Sequence, residues 1–104
     1  MTEAAAIAVV DNPAAQRFEA SVEGHLAFAA YRIAGGSIFF THTEVPEALG
    51  GRGIGSALIR AGLAAAREQG LSVVPLCPFF AAWFGKHPEA RDLLHPSYKA
   101  AMGV

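Results

Sequence analysis

Apolar and polar positions alternate with a period of two through the first half of the chain and recur at helical spacing in the second half. Residues 7–10 are a short β-branched run, closed by the turn cluster Asp11-Asn12-Pro13. Residues 16–22 set Phe18, Ala20 and Val22 against Arg17, Glu19 and Ser21, the pattern of a half-buried strand. Glu23-Gly24 turns the chain into residues 25–33, where Leu26, Phe28, Ala30 and Arg32 alternate with Ala27, Ala29, Tyr31 and Ile33. Ala34-Gly35-Gly36 is a second hairpin signal. A third long strand follows over residues 37–45, and its unbroken run Ile38-Phe39-Phe40 predicts burial on both faces. Strands joined by such short turns form an antiparallel meander.

A helix is predicted over residues 53–69, with Ile54, Leu58, Ala61 and Ala65 on its apolar stripe and Gly70 at its C-terminal end. Residues 71–77, centred on Val73-Val74, read as a strand parallel to the one before the helix, reached by a right-handed crossover. Pro78 opens a second helix over residues 79–85. Residues 89–94 add a helical turn or two, and residues 95–104, with Pro96 and Gly103 and no periodicity, read as a tail. The expected fold is a single α/β domain over residues 1–104, an antiparallel meander followed by β-α-β-α, with the helices packed on a mixed sheet.

Composition narrows the function. With 53% hydrophobic and 16% charged residues the chain is built to pack a core. A net charge of −1 and scattered Lys and Arg give no basic field for nucleic acid or an anionic membrane. The single cysteine, Cys77, excludes an internal disulfide and suits a reducing compartment. The first ten residues carry Glu3 and no basic residue, unlike a signal peptide, and no apolar run approaches the ~20 residues of a membrane span. A cytoplasmic protein, monomeric or a weak homodimer, is expected.

The chemistry concentrates where the third long strand meets the first helix. His42-Thr43-Glu44-Val45 ends in Pro46, and Gly50, Gly51, Gly53 and Gly55 then lead into the Ala- and Leu-rich helix. Such a loop lets main-chain N–H groups approach a phosphate at a helix N-terminus, and Arg52 can add a charge-assisted contact. The ATP-type P-loop is excluded because Ser56-Ala57, not Lys-Ser/Thr, follows Gly55. Neither glycine frame completes the dinucleotide fingerprint G-x-G-x-x-G/A.

Arg52-Gly53-Ile54-Gly55-Ser56-Ala57 has the form R-x-x-G-x-A. It resembles the coenzyme A pyrophosphate motif of the GCN5-related N-acetyltransferases, and the strand–loop–helix–strand context resembles theirs too. With His42-Thr43-Glu44-Val45-Pro46, Cys77-Pro78-Phe79 and His87-Pro88-Glu89, the chain looks like the minimal, single-domain branch of that superfamily. The resemblance implies acetyl-CoA as cofactor and an amine as acceptor. It implies that Glu44 and Val45 lie along the pantetheine arm, and that Gly51, Arg52, Gly53, Ile54, Gly55, Ser56 and Ala57 hold the pyrophosphate. A backbone N–H at the strand end would polarise the thioester carbonyl. Where relatives carry a more polar stretch with Tyr, this chain has Phe80-Ala81-Ala82-Trp83-Phe84.

Two residues are candidate catalysts. His42 is a general base or the partner that orients Cys77, against the plain reading of a strand histidine. Cys77 is a nucleophile or the acid that protonates the departing thiolate, against the plain reading of a buried cysteine. Glu44 is a weaker base candidate, and Glu44 with Glu47 hints at a cationic acceptor. Phe79, Phe80, Trp83 and Phe84 read first as core, with one or two rings as channel walls the alternative. His25, His87 and His95 lack metal-ligand spacing, so no metal is expected. The expected activity is acetyl-CoA-dependent N-acetyl transfer to an amine, directly or through Cys77. The alternatives are an acyl-CoA-binding sensor without efficient catalysis and a general nucleotide-binding fold.

Overall fold

A computed structural model describes residues 7–102 of the chain. A five-stranded sheet runs in sequence order, with β1 (Val10–Asn12), β2 (Arg17–Val22), β3 (His25–Ala34) and β4 (Ser37–Glu44) antiparallel to one another. The helix α1 (Ile54–Gln69) then returns the chain to β5 (Ser72–Pro75), which pairs parallel to β4. The helix α2 (Pro78–Lys86), a 3-10 segment (Pro88–Leu93) and a short helix α3 (Pro96–Met102) complete the chain. The α/β mixed sheet expected from the sequence is therefore present, and among the described residues no helix is long and apolar enough to cross a membrane.

The first strand departs from expectation. Asp11 and Asn12 do not turn the chain but pair with Phe18 and Arg17. The buried Tyr31 hydroxyl donates to the Asp11 carboxylate at 2.6 Å, and Asn12 Nδ2 donates to Glu19. Burial, then that hydrogen bond and the nearby charge, push the Tyr31 pKa up to about 12, so the donor stays protonated. The turn moves on to residues 13–16, where Gln16 takes a positive φ of 55°. Val10 is exposed, whereas Ile7 and Val9 lie against the core.

The core lies between the sheet and α1 with α2. Phe40 is its centre. Its ring stacks on Phe80 at 4.0 Å and meets Phe18 and Tyr31, each at 6.4 Å between centroids. Burial along β4 is only partly two-sided, since Ile38 and Phe40 are buried and Phe39 is half-buried. The stripe of α1 is rotated from the expected one. Ile54, Gly55, Leu58, Ile59, Gly62, Leu63 and Ala66 are buried, while Ala61 and Ala65 are half-buried. The reason is steric. A Cβ on Gly62 would stand 2.8 Å from the Phe40 ring, so the missing side chain is what lets the large ring reach the helix.

Residues 95–104, where the sequence pattern marks no element, contain α3. His95 Nδ1 accepts the Ser97 N–H at 3.2 Å in place of a Ser or Asp cap, and Pro96 fits the first turn. The His95 N–H bonds the Val73 carbonyl at 2.9 Å, and Leu94 bridges Val73, so the helix is tied to β5.

Two glycine substitutions separate the packing roles. Gly62→Ala drives a methyl into Phe40, which is 0% exposed and cannot yield. Overpacking of about 1–3 kcal/mol exceeds the helix-propensity gain of up to ~1 kcal/mol. The expected result is a melting temperature lower by roughly 5–15 °C, read by circular dichroism. Gly55→Ala meets Phe79, which is 46% exposed and free to swing, so its melting temperature is expected to hold within a few degrees.

Candidate functional site

The parallel pairing of β4 and β5 ends at Phe40 and Pro75, and the Cys77 N–H closes it by bonding the Phe40 carbonyl at 2.9 Å. Beyond that point α2 begins, and no strand covers β4 on its β5 side. The Thr41–Glu44 end of β4 therefore presents an unpaired backbone edge among the described residues.

A β-bulge sits at this edge. Ala30 pairs with His42 and Tyr31 with Phe40, which leaves Thr41 as one extra residue in β4. One inserted residue reverses which side chains face the core. Phe40 faces α1, and so does Thr43, whose partner Ala29 is buried in the core. His42 and Glu44 point to the other face of the sheet. There the His42 ring lies 5.9 Å from Phe28, and the Arg17 guanidinium covers Phe28 at 4.8 Å.

The bulge corrects the expected pairing of His42 with Cys77. The side chain beside Cys77 is that of Thr43, with Cys77 Sγ donating to Thr43 Oγ1 at 3.4 Å. Cys77 is 5% exposed and precedes the first turn of α2, with Pro78 next in the chain. Burial pushes its thiol pKa up. The Thr43 hydroxyl and the backbone N–H groups of Phe80, Phe79 and Thr43 outweigh that and hold it below the ordinary thiol value.

The glycine loop is anchored rather than loose. Leu49, 1% exposed, ends a 3-10 turn (Glu47–Leu49) that plugs the loop into the core. Gly51 and Gly53 take left-handed φ values of 78° and 76°, a conformation that glycine alone adopts without strain. Gly53 starts α1, and the first intrahelical bond runs from the Ala57 N–H to its carbonyl at 3.0 Å. The N–H groups of Ile54, Gly55 and Ser56 precede it, without a side-chain cap, at the positive end of the helix dipole.

These groups line a groove of about 250 Å³ walled by Val45, Leu49, the loop glycines, Ser56 and Phe79. Its chemistry suits a pyrophosphate, with backbone donors, a dipole and a close approach that side chains do not obstruct. Of the residues expected to hold the cofactor, Val45, Gly51, Gly53, Ile54, Gly55 and Ser56 come together here. Ala57 lies one position further into the helix, and Glu44 faces the opposite side of the sheet. Arg52 is turned to Glu23 in the β2–β3 hairpin at 2.9 Å, both side chains well exposed.

Thr43 is the site residue to which the sequence pattern gave no role, and Phe79 is the one ring of the aromatic cluster that takes the wall position held as the alternative to core. Phe80 and Phe84 are 0% exposed core, as the aromatic cluster suggested, but Phe79 lies over Gly55 as a wall of the groove. The glycine on α1 facing an aromatic at the start of α2 is the signal that could have marked it. Among the described residues no cluster of metal-ligating side chains occurs.

Comparison with known proteins agrees with this architecture. Residues 17–93 match the family model for GCN5-related N-acetyl-transferase. The NMR solution structure of a GCN5-like candidate N-acetyltransferase from Staphylococcus aureus superposes with a TM-score of 0.69 at 26% identity, covering 86% of this chain and 88% of that one. No curated protein sequence matches the chain.

The environment of Cys77 gives a testable titration. Its alkylation by iodoacetamide is expected to rise with pH at a lower midpoint than that of a free cysteine peptide. Thr43→Val removes one hydrogen bond to the thiolate and is expected to move the midpoint upward. An unchanged midpoint in that variant would show that the hydroxyl does not stabilise the thiolate.

Proposed function

The chain belongs to the GCN5-related N-acetyl-transferase family, and from that premise we propose that it moves the acetyl group of acetyl-CoA to an amine. The observation that carries this reading is the groove at the start of α1, where free N–H groups of Ile54, Gly55 and Ser56 stand behind two left-handed glycines. These groups would hold the pyrophosphate, with Phe79 and Val45 as apolar walls leading toward the open edge of β4. Arg52 would exchange its exposed pairing with Glu23 for a phosphate, at small cost because such surface pairs are weak.

The coenzyme supplies an acetyl group activated as a thioester. The chain supplies the place where it reacts. Free backbone groups on β4 past Phe40 can bind an extended amide-containing arm as a strand would. Cys77, held toward the thiolate by Thr43 and by the first turn of α2, is the group suited to accept the acetyl. In that route Sγ bonds the acetyl carbon while the coenzyme sulfur departs with the electron pair and takes a proton from solvent. The neutral amine nitrogen then bonds the same carbon, the bond to Sγ breaks, and the thiolate is restored as the amine proton passes to water. His42, on the far face against Phe28, has no part in activating Cys77.

A second reading has its own support. Cys77 is 5% exposed and does not line the groove, which favours direct attack by the amine without a covalent step at Cys77.

The cofactor assignment is tested by thermal denaturation with coenzyme A. At 100 times its Kd the ligand is expected to add about 2.7 kcal/mol, a rise of roughly 10 °C or more. No rise with either coenzyme A or acetyl-CoA would remove the assignment. The route is tested by acid-quenching the chain after mixing with acetyl-CoA alone. Transfer through Cys77 predicts an added acetyl on the Cys77 peptide by mass spectrometry, absent in Cys77→Ala, whose turnover falls about 100-fold or more. An unlabelled chain with turnover would establish direct transfer.

A further inference from the structure

We propose that the chain pairs with a second copy of itself through the open face of its sheet, the face opposite α1 and α2, with Arg32 of each copy set against Glu44 of the other. The inference is independent of the coenzyme reading, whose groove lies at the start of α1.

β3 is apolar on both of its sides. Ala27, Ala29 and Tyr31 are buried in the core under the helices. Leu26, Phe28 and Ala30 alternate with them on the reverse face, where a strand that borders water ordinarily carries polar side chains. Leu26 is 40% exposed there, and Phe28 and Ala30 are half-buried. Phe39 of β4, the ladder partner of Arg32, adds a half-buried ring to the same face. Apolar residues on both sides of a strand are the pattern of a sheet covered on both faces. Among the described residues the helical core covers only the Ala27 and Ala29 side.

The charges of this face favour a second copy as its cover. Arg17 is paired with Glu19 and lies along Phe28, so that ion pair is closed within the chain. Arg32 and Glu44 are exposed, and among the described residues neither forms an ion pair. They sit on either side of Ala30. Glu44 is the ladder partner of Phe28, two residues before Ala30, and Arg32 follows Ala30 by two residues. A second copy turned end for end about a two-fold axis at Ala30, in the plane of contact, runs its β3 antiparallel over this one. The row of Phe28 and Glu44 then meets the row that carries the partner's Arg32 and Phe39, and the same contact recurs across the axis. The small Ala30 side chain at the centre suits the ~10 Å spacing of sheets packed face to face. Apart from His42, the charges of the face cancel, so two copies do not repel each other, and a nucleic acid or anionic membrane finds no field to bind.

Sedimentation equilibrium of the full chain tests the proposal. The mass is expected to rise from 10.9 kDa toward twice that value as the concentration passes through the micromolar range. Arg32→Glu and Glu44→Arg each set like charges against one another, and each is expected to weaken the dimer about tenfold or more. Mixed in equal amounts, the two variants are expected to pair with each other as well as the unmodified chain pairs with itself, because opposite charges then meet at both contacts. The double variant, Arg32→Glu with Glu44→Arg, is expected to recover self-association for the same reason. Recovery in the mixture separates a lost contact from a lost fold. A mass of 10.9 kDa at every concentration would overturn the proposal. So would single variants that dimerise as the unmodified chain does, or a mixture and a double variant that stay monomeric.

Discussion

The ring of Phe40 lies stacked on Phe80 at 4.0 Å, in a space that α1 leaves by having Gly62 opposite. Through that ring the last residue of β4 to pair with β5 is packed against α1, α2, β2 and β3 at once. Its carbonyl also receives the Cys77 N–H, the last bond between β4 and the chain leaving β5. Truncating such a buried aromatic costs about 3–5 kcal/mol, a large share of the stability of a domain this size. The same contact places the site, because every element that carries a functional group leaves from it. β4 continues to Glu44 paired with β3 only, α2 starts at Pro78 just after Cys77, and α1 presents its N-terminus beside both.

Two local departures from regular structure then decide which groups meet. The extra residue Thr41 turns Thr43 toward Cys77 and His42 away from it. The left-handed glycines 51 and 53 turn the loop so that α1 begins with uncapped N–H groups. The first supplies a hydrogen-bonded thiol with a lowered pKa, and the second a row of uncapped backbone N–H groups along a groove, a setting that suits an anion. Neither needs a titrating side chain as a partner. That explains how a chain with 16% charged residues can carry a site of this kind.

Most of the framework was legible in the sequence because alternation, turn residues and helical spacing are local signals. The strands over Phe18, Ala29 and Phe40, the glycine loop and both longer helices follow from them. What was not legible depends on contacts between distant residues. Nothing near Thr41 marks it as an inserted residue, since the bulge is defined only against Ala30 and Tyr31 across the ladder. The α1 stripe was read from Ile54, Leu58, Ala61 and Ala65, but the two glycines that face Phe40 and Phe79 turn it by about one position. Asp11 reads as a turn residue until Tyr31, twenty residues on, offers its hydroxyl. The short α3 escaped notice because its cap is the side chain of His95, outside the usual capping residues.

The central claim is that the backbone at the start of α1 is the phosphate site. Amide resonances report this directly, since an anion accepting hydrogen bonds from N–H groups shifts those protons. In a titration of the isotope-labelled chain with coenzyme A, the largest shifts are expected at Gly51, Gly53, Ile54, Gly55 and Ser56, with the open face around Phe28 and His42 little moved. Binding that leaves the five loop amides in place and shifts the Phe28 and His42 face would contradict the account.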